Sequence, residues 1–182
     1  KKKRNNKIMK KIIYIFFLSL IATSCGSLDD LLELKVENSL TESIPVSVLQ
    51  TGSTAVAFDL STTVNLNAGD LAQYKDKITA IKINTLTYRF IDFTGNAAGT
   101  IPTGTLKFDD VIIGEMTDFN ISAAAGAGTS FEITDAVKLS LIASNFVNNS
   151  EVSVKLIGTV LSEAGGMDFK VEVFMNMTAT IN

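Results

Sequence analysis

The chain is expected to fold as a mainly β protein, a two-layer antiparallel β-sandwich carrying one or two short helices, at about residues 70–77 and 135–147. Three observations lead there. The apolar and polar residues alternate with period two far more often than with period 3.6. Turn-forming residues separate the alternating stretches. Beyond residue 30 no linker or composition shift divides the 182-residue sequence, and only two prolines, Pro45 and Pro102, occur in it. One domain over 31–182 follows, built from packed layers around a single core.

The clearest stretch is 169–181. Phe169, Val171, Val173, Met175, Met177, Ala179 and Ile181 hold the odd positions, and the even ones are polar apart from Phe174. A strand with one face on a core and one on solvent requires this pattern. Glu151–Val160 alternates in the same way, and Glu163-Ala164-Gly165-Gly166 between them suits a turn, so 151–181 reads as a long antiparallel hairpin. Upstream, Leu31–Glu37 and Ile44–Leu49 read as strands flanking a turn at 39–43. Pro45 cannot donate to a ladder and places its strand at an edge or at that strand's start. Residues 54–66 form another strand. In 78–93, Ile81 and Ile83 share one phase while Leu86, Tyr88 and Phe90 share the other, which calls for a bulge near Asn84-Thr85. A glycine-containing loop at 95–104 leads into strands at 105–113 and 118–123, a small-residue loop tip at 123–128 and extended chain at 130–134.

Two helices interrupt the strands. Leu139, Ile142, Ala143 and Phe146 lie on one face of 135–147, with Thr134 or Asp135 to cap its first turn and Asn148-Asn149-Ser150 to end it. Leu71, Tyr74 and Ile78 give a shorter face at 70–77.

Charge is distributed unevenly. Residues 1–24 carry seven of the 16 basic side chains and none of the 19 acidic ones. From Cys25 onward 9 basic and 19 acidic residues remain, a net charge near −10, which gives no electrostatic footprint for nucleic acid. Histidine is absent, which removes the usual neutral-pH acid/base and the commonest metal ligand. A single cysteine excludes internal disulfides and cysteine-based zinc sites.

Lys10 and Lys11 precede an eleven-residue apolar run, Ile12–Ala22, which ends in Thr23-Ser24-Cys25-Gly26. The run is short for a ~30 Å hydrocarbon core at about 1.5 Å per helical residue, and its parts are those of a secretory signal. With Ala22-Thr23-Ser24-Cys25 as a loose lipobox, residues 9–25 resemble a bacterial lipoprotein signal peptide. The resemblance implies cleavage before Cys25, a thioether-linked diacylglycerol on its sulfur and an acyl chain such as palmitate on its new amine. At ~0.8 kcal/mol per buried methylene, several chains make a stable membrane anchor. On this reading 1–24 is the signal peptide and 25–30 a lipidated tether. Met9 is a natural start, which makes 1–8 an upstream extension. Gly26 in place of aspartate implies release to the outer membrane of a Gram-negative envelope, and Ser27-Leu28-Asp29-Asp30 resembles the acidic tags that send some lipoproteins to the cell surface.

Catalytic signatures are sparse. No Ser-x-x-Lys, Gly-x-Ser-x-Gly or phosphate-binding glycine motif occurs. Asp109, Asp110, Glu115 and Asp118 are the carboxylates best placed to hold Ca²⁺ at strand ends, beside the plainer reading of a solvated acidic face. No other cofactor is expected. The leading expectation is a non-enzymatic, lipid-anchored binding or assembly module with an envelope protein as partner. The alternatives are a carrier or sensor of an apolar ligand such as a lipid, resting on the helix at 135–147, and a glycan hydrolase using carboxylates such as Asp109 and Asp110. The Asn-x-Ser/Thr matches at Asn120, Asn148 and Asn176 are chance matches.

Overall fold

The C-terminal alternation becomes the most regular strand in the protein. In the computed structural model, which describes residues 33–66 and 69–182, β8 (Met167–Ile181) buries every odd position from Met167 to Ile181. The signal segment 1–24, Cys25 and the tether lie outside the described residues. The compact unit Lys35–Ile181 holds the architecture that follows.

Eight strands form two four-stranded sheets. β1 (Leu34–Val48), β8, β3 (Ile78–Gly95) and β6 (Ser130–Glu132) make sheet A, in the order β1-β8-β3-β6. β2 (Val56–Asn65), β7 (Glu151–Leu161), β4 (Thr100–Phe108) and β5 (Val111–Asn120) make sheet B, in the order β2-β7-β4-β5. Apart from the β4–β5 hairpin the chain alternates between layers so that two Greek keys interlock, the strand order of a jelly roll. Between the sheets lie Phe90, Phe108, Leu86, Leu106, Ile101 and Leu156, all fully buried. An aromatic cluster fills one part of that space. Tyr88 stacks on Phe131 with centroids 4.9 Å apart, and Phe90 meets Phe119 at 4.8 Å and Phe169 at 6.1 Å.

The two-sheet sandwich agrees with the sequence, and so does the bulge in β3. Its pairing with β8 shifts between Ile83 and Thr85, which moves the buried phase from Ile83 to Leu86, Tyr88 and Phe90. Pro45 lies on β1, an edge strand of sheet A.

Several expectations are corrected. β7 and β8 are not a hairpin: they lie in different sheets, and the 163–166 segment is a crossing between layers. Ser162, fully buried, pins that crossing. Its N–H donates to Thr51 Oγ1 (2.9 Å), its carbonyl accepts from Thr51 N–H (2.9 Å), and its hydroxyl donates to the Gly165 carbonyl (2.5 Å) and accepts from Asn96 Nδ2 (3.0 Å). Residues 39–43 are not a turn, because β1 runs through them. Its inward row at even positions from Val36 to Val48 is unbroken, but Asn38 and Glu42 occupy two of those places and disguise it. The expected strand at 105–113 is broken at Asp109-Asp110, which join β4 to β5, and the loop expected at 95–104 ends at Thr100, where β4 begins.

The expected strand at 118–123 ends at Asn120, whose side chain accepts from Ala123 N–H (2.7 Å) and caps α1 (Ile121–Gly126). The helix expected at 70–77 is a tighter 3-10 helix, Gly69–Lys77, seated by the fully buried Leu71. α2 (Ala136–Asn149) forms as expected. Asp135 Oδ1 accepts from the N–H groups of Val137 (2.9 Å) and Lys138 (3.2 Å), Ile142, Ala143 and Phe146 are buried, and Ser150 ends the helix in a left-handed conformation (φ 56°).

Candidate functional site

The outward face of sheet A carries the arrangement with most to offer a ligand. Along β8 the even residues point to solvent, and register with β3 sets Thr87 beside Phe174 and Arg89 beside Glu172. On the far side β6 places Ser130 opposite Arg89, while β1 brings Thr41 to the Phe174 side. Together Thr41, Thr87, Arg89, Ser130, Glu172 and Phe174 line an open groove of about 340 Å³.

Two features distinguish this groove from an ordinary solvated sheet. Phe174 is 37% exposed, an aromatic ring in an otherwise polar outward row. Arg89 holds Glu172 through both Nε and a terminal guanidinium nitrogen, each 2.6 Å from Oε1. The pair is half open to water, so its contribution to stability is small. It does fix the plane of the guanidinium beside the ring, ready for a second partner. Farther along the sheet, Asn176 Nδ2 donates to Ser39 Oγ (3.0 Å), and Asn84 Nδ2 donates to Asn176 Oδ1 (3.0 Å) and Thr178 Oγ1 (2.9 Å). The bulge in β3 is what turns Asn84 outward to make those bonds. The face therefore combines an apolar platform, an oriented ion pair and fixed amide and hydroxyl groups, which suits recognition of a polar surface.

A second groove, about 330 Å³, lies between β3 and α2 and is lined by Ile81, Ile83, Ala136, Leu139 and Ala143 with Lys82 and Ser140. Its lining is mainly aliphatic.

Of the carboxylates singled out from sequence, Asp109 is tied into the fold and Asp110, Glu115 and Asp118 are exposed. Asp109 sits at the β4–β5 corner with φ 46°, a left-handed conformation that aspartate tolerates. Its N–H donates to the Ser153 carbonyl (2.7 Å), its Oδ1 accepts from Ser153 N–H (2.9 Å) and its Oδ2 accepts from Asn145 Nδ2 (3.2 Å). The residue fastens the corner to β7 and α2, and both its carboxylate oxygens are engaged in doing so. Asp110 is exposed beside it, Glu115 is exposed opposite Thr105, and Asp118 is exposed at a second left-handed position (φ 46°). Among the described residues no group of three His, Cys, Asp or Glu side chains is gathered to hold a metal ion. Asn120 and Asn176, which match glycosylation sequons, are a helix cap and a member of the outward amide row.

Among the described residues two groups carry displaced pKa values, and neither lines the first groove. Burial pushes the Tyr88 hydroxyl above its ordinary value of 10.0. A hydrogen bond and the negative charge of Asp92, 2.8 Å away, raise that of Lys170.

Sequence reasoning did not single out Arg89, Glu172 or Thr41. The signal that could have found this face is Phe174, the one apolar residue among the even positions of β8.

No known protein family matches the chain, and no curated protein sequence does. Among solved structures, the decameric BFDV capsid protein is 10% identical over 80% of this chain and 99% of its own, with a TM-score of 0.42. The cyanophage Pam1 capsid is 19% identical over 80% of this chain and 86% of its own, at 0.37. Desmodium yellow mottle tymovirus is 11% identical over 79% and 82%, at 0.34. Likeness of this size assigns the chain neither a family nor a function.

Proposed function

We propose that this chain is a lipid-anchored binding module of the Gram-negative outer membrane, non-enzymatic, held by acyl chains on Cys25 and contacting an envelope partner through the outward face of sheet A. The observation that carries the binding role is Phe174, exposed on a polar sheet face beside the Arg89–Glu172 pair. Exposed aromatic and arginine side chains are the residue types that dominate binding energy at protein interfaces. The location rests on the basic segment, apolar run and cysteine of residues 10–25.

The test is gentle detergent purification from the native membrane, with mass spectrometry of co-eluting molecules, for the unaltered chain and for Phe174→Ser with Arg89→Ala. A stoichiometric partner lost from the double variant supports the reading. A partner retained by the variant refutes the assignment of the face. Intact-mass measurement of the same material tests the anchor, since acylation adds a defined mass to a chain beginning at Cys25. An unmodified cysteine overturns it.

The aliphatic groove between β3 and α2 favours the carrier reading as the second possibility, and there a bound lipid would co-elute with no protein partner.

A further inference from the structure

A sandwich of two open sheets has four edge strands, here β1, β6, β2 and β5, and each presents unpaired backbone groups to any chain able to pair with them. Three of the four carry recognisable obstacles. β1 has Pro45, which lacks an N–H, the charges of Lys35 and Glu37, and the inward-pointing, half-buried Glu42. β6 is three residues long. β5 has a register shift against β4, a left-handed residue at Asp118 and the helix α2 packed against it.

β2 has none of these. Its ten residues pair with β7 from Val56↔Val160 to Asn65↔Glu151 with no shift in register, and it contains neither proline nor glycine. Its one charged residue, Asp59, is already paired with Lys155 at 3.0 Å. Its inward row, moreover, is incompletely covered. Val56 is 49% exposed, and Phe58 and Leu60 are only half-buried, although the residues they oppose on β7 include the fully buried Val160 and Leu156. The rim of the core is thus left open along this strand.

We infer that β2 is a self-association edge, where a second copy of this chain pairs antiparallel with it and joins the two B sheets into one eight-stranded sheet about a two-fold axis. The sequence of β2 suits its own copy. Registers centred on Leu60 or on Ser61 keep the inward rows of both copies on one side: about Leu60, that residue meets its equivalent while Phe58 faces Thr62 and Val56 faces Val64, and about Ser61, Leu60 faces Thr62 and Phe58 faces Val64. In those registers Asp59 faces Ser61 or Thr63 of the other copy, and no like charges oppose each other. Ten residues give an edge of about 33 Å along which the ladder can form. The sheet A groove lies on the other layer and remains accessible in such a pair.

The experiment uses the full chain in detergent, with sedimentation across a concentration series and amide hydrogen exchange at each concentration. The expected result is a monomer–dimer equilibrium in which exchange within 56–65 slows as dimer accumulates. Ser61→Pro and Thr62→Pro supply the second arm. Of two adjacent residues in an edge strand, one points its N–H to β7 and the other to solvent. The outward-facing proline should leave the circular dichroism spectrum unchanged and weaken the dimer ~10-fold or more. A monomer at every concentration overturns the inference. So does a dimer in which β2 exchanges as fast as in the monomer, or one that a folded proline variant leaves intact. Should both prolines prevent folding, exchange in the unaltered chain decides the question.

Discussion

Replacing Gly114 by alanine adds one methyl group between the two sheets, at a point where β5 approaches the ring of Tyr88 on β3. A Cβ built on Gly114 stands 2.7 Å from the Tyr88 hydroxyl oxygen, 2.8 Å from Cζ and 3.1 Å from Cε1. Favourable carbon–carbon contact begins near 3.5 Å, so the ring must withdraw by about 0.7 Å. It has little room to do so, being stacked on Phe131 at 4.9 Å and set edge-on to Phe90 at 6.3 Å. Forcing an extra methyl into a filled core typically costs ~1–3 kcal/mol, and this site belongs in the upper half of that range because the obstruction is a ring already held by other rings. Urea unfolding followed by fluorescence and circular dichroism measures the loss. With an unchanged slope of ~1–3 kcal/mol per molar, the midpoint should fall by about 1 M. Combining Gly114→Ala with Tyr88→Leu should recover most of the loss, a coupling of ~0.5–3 kcal/mol. A single substitution costing less than ~0.5 kcal/mol, or a double variant whose losses simply add, would show that the sheets do not meet at these two residues.

Three further outcomes are expected. Asp109→Ala should destabilise the protein by ~1.5–3 kcal/mol, because it removes a charged acceptor from Ser153 N–H and Asn145 and leaves a left-handed corner to alanine; Asp109→Asn should cost less, and thermal unfolding of both variants checks the order. Tyr88 should make stability fall at alkaline pH. Its folded pKa is raised by burial, so the contribution is complete below the ordinary value of 10.0 and is lost as pH climbs from there through the folded value; urea unfolding between pH 9 and about 12 should show this fall, reduced in Tyr88→Phe. Phe174→Ser should cost no more than ~1 kcal/mol of unfolding free energy, the size of a cross-strand pair on the outward face, so that the fold is kept and any loss of partner binding can be read separately.

Much of the fold is legible where a single face decides a residue's fate. Met167 to Ile181 alternate because one side of β8 meets the core, and the phase change between Ile83 and Leu86 forces a bulge whatever the partner strand is. Partner choice is a different kind of information. Gly165-Gly166 serves a tight turn and a crossing between layers equally well, and what makes it a crossing is Ser162 bonding to Thr51 and Asn96, residues remote in sequence. That Asp109, Asp110, Glu115 and Asp118 stand at or near strand ends is legible in the sequence, but the bonds of Asp109 to Ser153 and Asn145 are not, since they depend on which elements meet at that corner. β1 was divided by Asn38 and Glu42, two polar residues in its inward row. Asn38 is 8% exposed with Nδ2 unpartnered, so the core does contain a polar group that no pattern of alternation would place there. The groove on sheet A was half visible: Phe174 stood out in its row, but Arg89 and Glu172 meet only through the pairing of β3 with β8.

The position of β8 has a consequence for how the protein is made. It lies between β1 and β3, so sheet A has no continuous ladder until β8 is in place. Among the described strands only β4 and β5 are both neighbours in sequence and partners in a sheet. Nearly every other pairing joins distant parts of the chain, a high-contact-order topology that folds slowly because long loops must close before any contact rewards them. A chain that lacks Met167–Ile181 cannot complete either the core or the sheet. The core and sheet A therefore close together, in one late step that waits on β8.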